Sequence, residues 1–164
     1  MSLELGGPRS FHGPEYHVSV MFRAPLPFAY AWCTDFRETD PKLEGEPYER
    51  KILHRGNGRV VYEDVQSHPD GWHWARYDVR LEPPNKWSLL SIGNYRSIRA
   101  EYALTRRGEE RTQFDMWFKR EAGPLLGPRL SRAAREREVK RSWRRFALAL
   151  ERDYRKSGRG RRRR

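Results

Sequence analysis

The chain opens its readable pattern at Tyr16. Tyr16, Val18, Val20 and Phe22 alternate with His17, Ser19, Met21 and Arg23, the period of two that marks a strand with one apolar face. Pro25 and Pro27 stop it. Phe28, Ala31 and Trp32 then fall at helical spacing, and Pro27 is acceptable in a first helical turn. Thr34-Asp35 and Thr39-Asp40-Pro41 cut that helix short, which leaves room for a second brief turn near Phe36.

A train of strands follows. Tyr48 to His54 and Arg59 to Gln66 flank Gly56-Asn57-Gly58, a hairpin turn because Asn and Gly tolerate positive φ. Pro69-Asp70-Gly71 turns the chain into a long strand, Trp72 to Leu81, closed by Pro83-Pro84-Asn85. Trp87 to Ile92 and Tyr95 to Leu104 pair across Gly93-Asn94, and Arg107-Gly108-Glu109 leads into Thr112 to Arg120. Short connections between successive strands predict an antiparallel meander. After Gly127-Pro128 the period changes. From Ser131 to about Arg155 there is no Gly or Pro, and Val139, Trp143, Phe146, Ala147, Leu150 and Tyr154 form one helical stripe. Leu130, Ala133 and Ala134 do not extend that stripe, so the first turns are expected to bend or to pack differently.

Three stretches resemble a known family. Val18 to Phe36 is similar to an opening strand, an Ala-Pro turn and a helix with an aromatic pair before an aspartate. Val79 to Trp87 resembles a strand–Pro–strand junction, and Tyr102-Ala-Leu-Thr with Gly108 and Arg111-Thr112 resembles a penultimate hairpin. Their order resembles the START/polyketide-cyclase superfamily, also called SRPBCC or helix-grip, over Glu15 to Tyr154. The resemblance implies an α+β fold. Its parts would be a seven-stranded curved antiparallel sheet wrapped around a long C-terminal helix, with two short helices after the first strand. It also implies a pocket between sheet and helix for lipids, polyketides or other apolar molecules, which some members cyclise or dehydrate. Fold alone does not settle function. Residues 1–14 are expected to be a flexible leader, 15–155 the domain and 156–164 a disordered basic tail.

With one sheet face turned to the helix, strand phase assigns the pocket wall. The expected ligand-binding residues are Tyr77, Ile98, Tyr102, Phe114, Met116 and Phe118 from the sheet, and Trp143 and Phe146 from the helix. Such a wall is aromatic and sparsely polar, suited to an apolar ligand with one or two polar handles. No catalytic residue is assigned. His73 and Tyr77 share the inner phase and could do acid–base work, but a hydrogen-bonded structural histidine is the more ordinary reading. Glu63 and Asp64 lie on opposite faces of their strand, so one points inward and needs a partner such as Arg50 or Arg76. On the outer phase of the long strand, Trp72 and Trp74 stand beside Arg76 and Arg80. Base stacking there is less favoured than simple cover for the sheet, because the body has no net positive charge.

That charge balance comes from dividing the chain. The 164 residues carry a net charge of +12. Met1 to Pro128 holds 18 basic and 18 acidic residues, whereas Arg129 to Arg164 holds 16 basic and 4 acidic ones. The excess is an appendage, and Arg161, Arg162, Arg163 and Arg164 are its candidate polyanion contacts, with nucleic acid or an anionic membrane as the non-specific partner. A merely solubilising end is the plain alternative. With 13% aromatic residues the chain is not compositionally disordered despite a mean hydropathy of -1.01. No apolar run approaches a membrane span, the N-terminal segment does not read as a secretory signal, and the single cysteine, Cys33, cannot form an internal disulfide. A cytoplasmic location is the expectation. No cofactor is expected, since there is no phosphate-binding glycine loop and no zinc-ligand spacing among the five histidines, so no metal site is assigned either.

Overall fold

A computed structural model of the protein describes residues 11–45, 47–122 and 130–158. Every alternating segment is a strand: β1 (Tyr16–Phe22), β2 (Tyr48–Gly56), β3 (Arg59–His68), β4 (Gly71–Glu82), β5 (Lys86–Gly93), β6 (Arg96–Gly108) and β7 (Arg111–Ala122). Two short helices, α1 (Leu26–Cys33) and α2 (Pro41–Glu44), separate β1 from β2, and α3 (Arg132–Lys156) follows β7. The strands form one antiparallel sheet in the order β1-β7-β6-β5-β4-β3-β2. Five tight turns make β2 to β7 a meander. β1 joins its far side against β7, in register from Tyr16 opposite Phe118 to Phe22 opposite Thr112.

Strand phase and burial agree. Thr112, Phe114, Met116 and Phe118 of β7 are all buried, as are Ala100, Tyr102 and Leu104 of β6. Strands run further into their turns than sequence spacing suggests. At Gly93, where β5 ends, an added Cβ would fall 2.5 Å from the Trp74 carbonyl oxygen and 2.8 Å from that of Arg96, so only glycine allows the chain to pass there. β2 carries an irregularity between Ile52 and His54, leaving Leu53 partly exposed.

α3 starts on Ser131, whose hydroxyl accepts from the Ala134 amide at 3.2 Å. Its buried stripe extends one step beyond the apolar pattern. Arg135, four residues before Val139, is only 8% exposed, so the first turn packs inward through an arginine and not through Ala133 or Ala134. Side chains fasten the helix to the rest of the protein. Glu136 and Glu151 accept the backbone amides of His17 and Arg23 at 3.2 and 3.0 Å. The Trp32 indole of α1 donates to Asp153 at 3.0 Å.

Phe11, in the segment expected to be a leader, is 7% exposed and lies 5.9 Å from the Arg99 guanidinium. α3 continues two residues past Tyr154, to Lys156. Arg161 to Arg164 lie outside the described residues. Among those described, no helix is long and apolar enough to cross a membrane.

Candidate functional site

Seven strands at about 4.8 Å spacing make a sheet roughly 30 Å wide. One helix of about 10 Å diameter cannot fill its inner side. The chain leaves a cavity of about 540 Å³ there, between the inner sheet face and α3. Trp87 and Leu89 of β5, Ile98 and Tyr102 of β6, and Met116 and Phe118 of β7 form its floor, while Val139, Trp143 and Phe146 come down from α3.

Three polar groups interrupt the apolar wall. The first, toward β2 and β3, is built on register: Arg50 lies opposite Asp64. Arg50 Nε and Nη2 donate to the two Asp64 carboxylate oxygens at 2.8 and 3.0 Å, and Nη1 donates to Asp40 at 3.0 Å. The guanidinium sits 4.1 Å above the Tyr62 ring, which in turn stacks on Tyr77 at 4.6 Å. Burial raises the Asp64 and Asp40 carboxyls above their ordinary values, and Arg50 offsets only part of that cost. For Arg50, burial opposes the charge, but the hydrogen bonds and charge of Asp64 outweigh it, so the guanidinium stays charged.

The second group lies at the β3–β4 turn. His73 Nε2 is 3.1 Å from Asp70 Oδ1, and its ring stacks between His68 at 4.1 Å and Tyr95 at 4.5 Å. The potential ligand atoms of His68, Asp70 and His73 lie within 4.8 Å of one another, the one such cluster among the described residues and a grouping that sequence spacing had not suggested. The two imidazoles, however, are face to face with 9° between their planes. Lone pairs in parallel stacked planes do not converge on one ion, and this arrangement carries no metal assignment. The third group is Arg96, Arg120 and Arg135 with Glu138, at the end of the cavity formed by β6, β7 and the start of α3.

No family model and no curated protein matches the sequence. Solved structures do match the fold. A START superfamily protein from Mycobacterium smegmatis is 16% identical, covering 88% of this chain and 99% of that one, with a TM-score of 0.65. The Zhui aromatase/cyclase from Streptomyces sp. R1128 is 18% identical, covering 86% and 93%, with a TM-score of 0.61. The protein TTHA0849 from Thermus thermophilus is 16% identical, covering 84% and 97%, with a TM-score of 0.65.

The fold is the START-like helix-grip fold.

Within this START-like frame, Tyr77, Ile98, Tyr102, Met116, Phe118, Trp143 and Phe146 all reach the cavity, as does His73. Phe114 does not. It is completely buried, with its ring 4.0 Å from that of Trp143, and so belongs to the layer that supports the wall. Strand phase fixes which face a residue takes and says nothing of its depth. The inward carboxylate of β3 is Asp64, partnered by Arg50; Glu63 pairs with Arg76 on the other face. Trp72 is 66% exposed, whereas Trp74, expected beside it on the outer face, lines the cavity; further along β4, Asp78 is bonded to Arg59 and close to Arg80.

Sequence reasoning missed Arg96, Arg120 and Arg135 as wall residues. Phase was the available signal: Arg96 precedes Ile98 by two, Arg120 follows Phe118 by two, and Arg135 precedes Val139 by four. Several groups are unsuited to nucleophilic or base chemistry. Burial, with a smaller contribution from Asp35, pushes the Cys33 thiol far up, and burial likewise raises the Tyr62 and Tyr102 phenols. All three stay protonated at neutral pH.

Proposed function

We propose that this chain binds or carries a small hydrophobic ligand, lipid-like or aromatic and polyketide-like, between the sheet and α3. The observation that supports this most is the aromatic-walled cavity of about 540 Å³. Protein interiors are otherwise close-packed, and a void of that size falls in the usual range for ligand pockets, roughly 300–1,000 Å³. Native mass spectrometry of the purified protein tests for a retained small molecule. Displacement of the neutral fluorophore N-phenylnaphthylamine tests occupancy. Ile98→Trp adds bulk to the floor and is expected to weaken fluorophore binding about tenfold or more, with the circular dichroism spectrum unchanged. Undiminished binding by that variant would remove the cavity as the site.

A second reading, a cyclase or dehydratase acting in the same pocket, draws support from the His73–Asp70 pair beside the wall. A carboxylate at 3.1 Å orients an imidazole for proton transfer. On that reading His73→Ala abolishes cyclisation of a poly-β-ketone substrate while its affinity changes little. On the carrier reading no cyclised product forms with either protein. Polyanion contact through Arg161 to Arg164 remains a separate proposal about the tail, with salt-dependent retention on heparin as its measure.

A further inference from the structure

Three arginines far apart in sequence meet at one end of the cavity. Ile98 pairs with Arg120 across β6 and β7. Arg96, two residues before Ile98 on the same face, is therefore the diagonal neighbour of Arg120. Arg135 descends from the first turn of α3, and all three side chains line the cavity. Among the described residues that line this end Glu138 is the carboxylate, and Arg135 Nη1 donates to it at 2.7 Å. Arg120 is half-buried, yet among the described residues no carboxylate bonds to it.

A cation placed so is an uncompensated cost. Burial lowers the Arg120 pKa, Arg135 and Arg96 lower it further, and Tyr95 and Glu138 restore only part. Arg50, in the same cavity, shows the compensated alternative, with two carboxylates on one guanidinium. Arg96 is shared, since its charge also pulls down the Asp64 carboxyl. Arg120 is the cation that no carboxylate bonds among the described residues, and its planar guanidinium fork suits one.

Resting on the reading of the cavity as a ligand site, the geometry points to an anion subsite in which Arg96, Arg120 and Arg135 hold the carboxylate end of an apolar monocarboxylic acid. Its apolar body lies against Ile98, Phe118 and Trp143. The polar handle thus lies at the start of α3, where Arg135 is, and it selects amphipathic acids over neutral lipids of the same length.

The test uses the full chain loaded with N-phenylnaphthylamine, which carries no charge, and compares displacement by dodecanoate and dodecanol. Dodecanoate is expected to displace the fluorophore at about one-tenth the concentration of dodecanol or less, a factor worth about 1.4 kcal/mol. Arg120→Gln and Arg96→Gln are each expected to shrink that preference severalfold, read as the ratio of the two displacing concentrations so that any change common to acid and alcohol cancels. Arg96 is exposed, so its variant decides the matter if Arg120→Gln does not fold. Equal displacement by acid and alcohol in the unmodified protein, or an undiminished preference in Arg96→Gln, would overturn the subsite and leave the cavity reading intact. Competition by inorganic phosphate alone would also overturn it, by showing a site for a free anion. Failure of the fluorophore to bind at all would remove the cavity reading and the subsite together.

Discussion

Replacing Phe114 with alanine is expected to cost the fold about 3–5 kcal/mol, the range for deleting a fully buried aromatic ring. Phe114 is completely buried and has four aromatic neighbours among the described residues, one of them Trp87 at 6.2 Å. Phe22 lies at 5.5 Å, Tyr102 at 6.0 Å and Trp143 at 4.0 Å. Sheet and helix therefore meet through it. Trp143→Ala should cost less, because its ring already borders open space and its loss enlarges an existing cavity more than it opens a new one. Urea titration followed by circular dichroism measures both. A Phe114→Ala cost below about 1 kcal/mol, the range of tolerated hydrophobic swaps, would contradict the layer assignment.

Arg50→Ala is expected to have a comparable effect for an electrostatic reason. Its side chain is 8% exposed and bridges Asp40 and Asp64. Removing one partner of a buried ion pair costs about 3–5 kcal/mol, because the remaining charge stays buried without compensation. The pH dependence gives the mechanism away. Both carboxyls are already raised by burial in the folded protein. A carboxyl whose folded pKa exceeds its unfolded value, near 3.9, binds its proton more tightly when folded. Stability then declines as pH rises from that unfolded value through the folded one, and recovers as pH falls. Without Arg50 both carboxyls rise further. The deficit of the variant is therefore expected to be largest at neutral pH and to shrink on acidification toward about pH 4. A deficit that stays constant over that span would mean lost packing, not stranded charge.

Much of this was legible in the order of residues. Alternation at Tyr16 to Phe22 and at Thr112 to Arg120, the turn at Gly56-Asn57-Gly58, and the stripe from Val139 to Tyr154 are local signals, and local signals survive folding when burial agrees with them. What was hidden was of two kinds. Depth behind a face depends on packing from the other side, which is why Phe114 reads as wall and is support. Charge on an inner phase is discounted when core residues are sought by hydrophobicity. Arg96, Arg120 and Arg135 thus dropped out of a pattern that they in fact continue. Arg50 and Asp64 were easier to find, because a carboxylate forced inward demands a partner, and their register places them face to face.

The carboxylates that fasten α3 have a second consequence, for how the molecule meets copies of itself. An open sheet has two edges, each offering backbone amides to any passing strand. On β1, Glu136 and Glu151 of α3 occupy the amides of His17 and Arg23, the latter just past the strand's end. On β2, Glu38 takes the Ile52 amide at 3.2 Å, beside the irregularity at Leu53 and the charges of Glu49, Lys51 and Arg55. Neither margin presents an uninterrupted ladder for an eighth strand. The helix that roofs the cavity is thereby also a guard against association, and a ligand gate that lifted α3 off β1 would expose a pairing edge each time it opened.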